Sequence, residues 1–182
     1  MFGLSSNTVP VLLPFKTELI LGGELYDYLL KHKRLKEPTA QRMFTQLCGA
    51  VAYIHKGGSV HRCEHTFEYT DCRDLKLENI MLDKSDNVKL VDFGFTREYD
   101  PRKLLETWCG TYSYAAPEMI QGEKYSGEAV DVWSMGVILF ALLCGELPFD
   151  DDDETKTKER IIKREYSLPD FLSEGIYHFN QF

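Results

Sequence analysis

Between Asp131 and Glu146 the chain runs from Val132 to Gly145 with Ser134 as its one polar side chain. A segment apolar on every side must be covered on every side, by protein or by lipid. At fourteen residues it is shorter than the roughly 20 that cross a bilayer, so a buried core helix is expected. Ser126 can cap that helix, and Gly145 and Pro148 stop it. The remaining elements must then pack around it. With 182 residues and 43% apolar content there is material for one such core, since chains near this size bury about 68–70% of their unfolded surface.

The rest of the chain is mainly helical, with few strands. Glu24–Lys31 reads as a short helix, and Thr39–His55 as a longer one in which Phe44, Leu47, Val51 and Ile54 recur at helical spacing. Pro38 suits its first turn and Gly57-Gly58 ends it. Short strands are expected at Ser59–Arg62, Ile80–Leu82 and Val88–Val91, the last two joined by the turn-forming residues Asp83 to Asn87. Residues 1–20 carry no clear period, with Val11–Leu13 as a strand remnant. A long stretch after Asp92 is also unpatterned, which in a compact domain points to a functional loop.

Charge and cysteine usage narrow the class of partner. A net charge of −8 argues against a nucleic-acid binder, although polyphosphate can still be held through a metal. The first fifteen residues lack a basic start and are broken by Pro10 and Pro14, so no signal peptide is expected. Cys48, Cys63, Cys72, Cys109 and Cys144 form no Cys-x-x-Cys pair, which in an intracellular chain suits reduced, structural thiols.

The chemistry is concentrated in Asp74-Leu75-Lys76-Leu77-Glu78-Asn79, followed by Asp92-Phe93-Gly94. Together these offer two oxygen-bearing side chains for a metal, a further carboxylate and a cation. Phosphoryl transfer needs that set, to hold magnesium on the phosphates, neutralise spreading negative charge and orient a hydroxyl. Each piece alone is weak; the order is the strong signal. Ala115-Ala116-Pro117-Glu118 closes the long loop, and Asp131-Val132-Trp133-Ser134-Met135-Gly136 heads the apolar helix.

On these four motifs the chain resembles a eukaryotic protein kinase, from about Leu19 to about Leu172. Lys76, two residues after Asp74, and Gly110-Thr111 resemble the serine/threonine branch. Gly22-Gly23-Glu24-Leu25, the stretch Leu105 to Thr111 and Gly145-Glu146-Leu147-Pro148-Phe149 are similar to the calmodulin-dependent and AMP-activated group. The resemblance implies an α+β kinase-like fold, represented by a mainly helical C-terminal lobe with a small β-hairpin at the catalytic loop. It further implies ATP and Mg2+ as cofactors, a protein Ser/Thr hydroxyl as substrate, an upstream activating kinase and an intracellular, chiefly cytoplasmic setting. No nucleic acid and no membrane span are implied.

By position, Asp74 matches the base that accepts the hydroxyl proton and Lys76 the cation that steadies the γ-phosphate. Asn79 and Asp92 match the magnesium ligands, and Met81 the apolar floor under adenine, with plain core packing as its alternative. Glu24 matches an acidic position for ribose or a basic substrate residue, a solvated helix-start carboxylate being the alternative. Thr107 falls where the family carries its activation-loop phosphate, with Arg62 or Arg73 and Arg97 as partners. Glu118 and Asp131 match structural positions, one in a buried ion pair and one anchoring the catalytic loop.

The pattern is departed from in three places. Ahead of Gly22 no Gly-rich loop and no Val-Ala-Ile-Lys strand are found, so residues 1–18 are expected to be an irregular remnant before the hinge and 19–182 a partial kinase domain without its N-terminal lobe. The sequence stops at Phe182, soon after Pro169-Asp170-Phe171-Leu172, so the final helices that would carry the arginine partner of Glu118 are expected to be missing. The His-Arg-Asp triplet is split, since removing residues 63–73 restores Val-His-Arg-Asp-Leu-Lys. That insert is expected to bulge outward, because lengthening a loop costs only about 0.6 kcal/mol per doubling. Its Cys63, His65 and Cys72, with His61, carry zinc-type donors at a spacing that fits no standard zinc unit. The second functional reading is an inactive fragment that binds a partner; the third is a translation product that does not accumulate, its uncovered lobe face being apolar.

Overall fold

A computed structural model describes residues 19–56, 59–60, 75–91, 97–98 and 112–179, with side chains omitted at 59–60, 97–98 and 177–179. The apolar run folds as part of helix α4, Gly127–Cys144, whose buried residues face every direction and include Val137 through Leu143 without a break. By length and composition this helix is able to cross a bilayer, but 67% of it is buried inside the protein, where it serves as the core. Ser126 sits at its N-cap with extended backbone, yet its side chain makes no capping hydrogen bond, contrary to expectation. At the other end Gly145 adopts φ 85° and its N–H donates to the Ala141 carbonyl.

Around α4 lie helices α1, Leu25–His32, and α2, Glu37–Lys56. Only one stripe of α2 is buried, Ala40, Met43, Leu47, Val51 and Ile54, and that stripe packs on α4. The turn between α1 and α2 is drawn against the end of α4. Leu35 N–H donates to the Leu142 carbonyl at 2.8 Å, and a Cβ on Gly145 would stand 2.1 Å from the Lys33 carbonyl oxygen, so only glycine permits this approach.

Among the described residues four short strands complete the framework: β1, Ser59–Val60; β2, Ile80–Leu82; β3, Val88–Leu90; and β4, Arg97–Glu98. The expected hairpin is β2–β3, antiparallel with Ile80 opposite Leu90, Met81 opposite Lys89 and Leu82 opposite Val88. Strand β1 pairs instead with β4, inside the stretch read as unpatterned. Two residues are too few to show a period, which is why sequence alone passed over β4.

The later elements are helices α3, Pro117–Ile120, α5, Glu154–Lys163, and α6, Glu174–Phe179. Part of the acidic run Asp150 to Glu154 is a start signal, since Asp153 Oδ1 accepts the Thr155 N–H at 2.9 Å and so caps α5. Arg160 donates to the Asp150 and Pro148 carbonyls, closing the acidic turn. Phe149, fully buried, stacks on Trp133 and meets Tyr166 edge-on, which joins the turn to the core of α4. The insert 63–73, residues 1–18 and the cysteines Cys63, Cys72 and Cys109 lie outside the described residues.

Candidate active site

The hairpin is the platform. Asp83 folds its tip: Oδ1 accepts the N–H groups of Ser85 and Asn87, and Oδ2 accepts Asn87 Nδ2 at 3.0 Å. These donors hold the Asp83 carboxyl below its ordinary range, the Asn87 side chain contributing most. Helix α2 then grips the tip, because Gln46 Oε1 accepts the Val88 N–H at 2.8 Å and Gln46 Nε2 donates to Asn87 Oδ1.

Immediately before β2, Leu77–Asn79 form a single 3₁₀ turn pinned by the buried side chains of Leu75 and Leu77. Lys76 stands at its start in extended conformation, and Asn79 N–H donates to the Lys76 carbonyl at 3.1 Å. Asn79 in turn accepts the Val91 N–H at 3.1 Å through its carbonyl oxygen. One turn therefore carries Lys76 and Asn79, and a hydrogen bond ties that turn to the residue preceding Asp92. Beside Asn79, Glu78 Oε2 is buried without a hydrogen-bond partner. An unpaired carboxylate oxygen in a partly buried place favours a cation close by.

On the far side of β2 the chain before α1 adds a further rung. Gly22 N–H donates to the Leu82 carbonyl and Leu82 N–H to the Gly23 carbonyl, both at 2.8 Å, which brings Glu24 opposite Met81. The approach is close enough that a Cβ on Gly22 would stand 2.3 Å from the Leu82 oxygen. Glu24 and Met81, 57 residues apart in sequence and adjacent in space, are both partly exposed along this edge.

The supporting contacts were not legible. His55, at the end of α2, donates through Nε2 to Asp131 Oδ2 at 2.8 Å, and Asp131 is buried at the head of α4. Sequence had assigned Asp131 a structural role but offered no signal for a partner on another helix. Ser134 Oγ is shared between the Tyr114 and Val130 carbonyls, which fixes the segment entering Ala115-Ala116-Pro117-Glu118 on α4. Lys158 on α5 lies over the Tyr112 ring at 3.8 Å and pairs with Glu154, contacts that raise its pKa. Glu118 is partly buried.

Asp74, Asp92, Arg62, Arg73 and Thr107 lie outside the described residues; Arg97 is described only by its backbone, in β4 opposite Val60. Among the described residues no group of three or more His, Cys, Asp or Glu side chains is placed to hold a metal. The oxygen donors of the Asn79 and Asp92 pair suit magnesium, which takes one or two protein ligands and keeps several waters. The buried Glu78 oxygen gives the turn a negative bias consistent with that fit. Cys48 and Cys144 are free thiols, and burial, with Glu146 adding and Arg34 opposing, pushes Cys144 up to about 11.

Comparison with known proteins gives the same answer as the motifs. The protein kinase domain model matches residues 8–180, extending on both sides of the resemblance read from the motifs. The chain is 51% identical over 155 residues to the serine/threonine-protein kinase ppk16 of Schizosaccharomyces pombe, a match that takes in 84% of this chain and 21% of that protein. It is 45% identical over 151 residues to a probable serine/threonine-protein kinase, a KIN1 homolog, of Encephalitozoon cuniculi, taking in 83% of this chain and 25% of that protein. The chain thus spans between a fifth and a quarter of the length of these curated relatives.

Proposed function

Because the chain belongs to the protein kinase domain family, we propose that it is the large-lobe part of a serine/threonine kinase that moves the γ-phosphoryl group of ATP to a protein hydroxyl. The observation that carries the reading is the Lys76–Asn79 turn, hydrogen-bonded to Val91 and built onto a hairpin whose edge sets Met81 against Glu24. Magnesium-bound ATP supplies the phosphoryl group. In this reading Asn79 and Asp92 hold the metal, Asp74 accepts the proton of the substrate hydroxyl, and Lys76 offsets charge on the phosphate. Met81 provides the apolar surface under the base, and Glu24 hydrogen-bonds the ribose or holds a basic residue of the protein substrate. Thr107, with Arg62, Arg73 and Arg97, is the site at which an upstream kinase orders the loop. The setting is intracellular.

The test is transfer of labelled phosphate from ATP to matched peptides carrying Ser, Thr or Tyr. The isolated chain is expected to give only background transfer, since no Gly-rich loop precedes Gly22 to position the phosphates. A longer polypeptide with that loop and lysine restored, and residues 63–73 deleted, is expected to modify Ser and Thr, and Asp92→Ala to reduce the rate by at least about 100-fold. Preference for Tyr, or activity indifferent to Asp92→Ala, overturns the assignment. A second reading, a partner-binding module without catalysis, is favoured by the split His-Arg-Asp triplet. Its mark would be background transfer even from the restored polypeptide.

A further inference from the structure

The chain is acidic overall, yet Lys31-His32-Lys33-Arg34-Leu35-Lys36 is a concentrated basic segment. Lys31 and His32 are accounted for by the C-terminus of α1, where cations meet the helix dipole, and His32 Nδ1 is hydrogen-bonded to the Tyr28 carbonyl. Lys33, Arg34 and Lys36 lie beyond that helix and are exposed. They line a cavity of about 560 Å³ together with His32, Glu37, Leu143, Phe171 and others.

The floor of this cavity is apolar, with Leu35 and Leu172 each 7% exposed, while Phe171 at the rim is 52% exposed. Arg34 is laid over the Phe171 ring at 3.7 Å. Glu37 is the one lining carboxylate, and it is engaged by the Ser173 N–H at 2.8 Å. The wall is held stiffly, by Leu35 N–H on the Leu142 carbonyl and by the approach to Gly145. Lys33 is kept at φ 65° and ψ −53°, a positive-φ conformation unusual for lysine. A rigid, concave surface with cationic rims and an apolar floor is complementary to a short acidic segment bearing a bulky apolar side chain.

We infer that the α1–α2 turn and the Phe171 bend form a docking pocket for an acidic peptide, separate from the catalytic turn. An anionic membrane is disfavoured, because a flat lipid surface meets exposed cations without filling the recess between Leu35 and Leu172.

Fluorescence polarisation of a fluorescein-labelled peptide alternating Glu with Leu, titrated with the full chain, tests this. Binding is expected to weaken as salt rises and to fall by about tenfold in Lys33→Asn/Lys36→Glu, asparagine being chosen because it tolerates positive φ. Phe171→Ala is expected to weaken it several-fold, with melting temperatures unchanged in either variant. The same peptide with Gln replacing Glu is expected to bind at least about tenfold less well. Equal binding of the Gln peptide, or of the double variant, overturns the proposal. So does binding to phosphatidylserine vesicles that the Glu-Leu peptide fails to displace.

Discussion

The α2–α4 core and the tip of the β2–β3 hairpin hold their residues in place by different means. In the core, position follows from covered apolar area: Ile138, Leu142 and Phe149 are essentially inaccessible, and their packing partners come from several elements. In the hairpin each strand is three residues long; Ile80, Leu82 and Leu90 anchor it in the same core, and its tip is positioned by named polar contacts, those of Asp83 within the tip and those of Gln46 from outside it. Dispersion and burial are collective, so a core residue fails globally. A hydrogen-bonded turn fails locally, and the turn that carries Lys76 and Asn79 joins both kinds of support, buried Leu75 and Leu77 and a hydrogen bond to Val91.

Four measurements sharpen or break that contrast. The largest effect is expected from Phe149→Ala, which removes a fully buried ring stacked on Trp133 and should lower stability by about 3–5 kcal/mol in urea unfolding. A loss well under 1 kcal/mol would mean that the core is not a single cooperative unit. Next comes Gly22→Ala, whose Cβ meets the Leu82 carbonyl; about 1–3 kcal/mol is expected. Faster amide exchange should be concentrated at Leu82, whereas a uniform rise across α4 would erase the distinction between the regions.

Gln46→Ala leaves the Val88 N–H and Asn87 Oδ1 without their helix partner, and about 1 kcal/mol is expected, seen as faster exchange at Val88. The smallest effect concerns pH. The folded pKa of Asp83 lies below its ordinary value of 3.8, so its contribution is complete above that value and is lost as pH falls through the lowered one. Exchange at Asn87 should accelerate across that window in the parent chain and show no such step in Asp83→Asn. A step retained in the variant would assign the titration to another carboxylate.

The same contrast explains what could be read in advance. Helix α4 was legible because an unbroken apolar run has one economical solution, and α2 because Leu47, Val51 and Ile54 repeat at helical spacing. The hairpin was legible through turn residues, Asp83 to Asn87, whose preference is local. Ser126 occupied the expected cap position without making the expected bond, since position in sequence does not decide where a hydroxyl points. Strand β4 and helix α5 went unread, one too short for a period and the other opened by the acidic run Asp150 to Glu154, which carries no apolar spacing of its own.

By itself the sequence determined the family, the core helix and the order and spacing of the family's motifs, because those depend on residue type and order along a chain. Which distant residues meet was decided only in three dimensions: His55 with Asp131, Gly22 with Leu82, Glu24 with Met81, Gln46 with Val88. The physical reason is that each contact requires two separately folded elements to be packed at one angle and distance. That arrangement is set by the summed burial around α4, which no local pattern encodes.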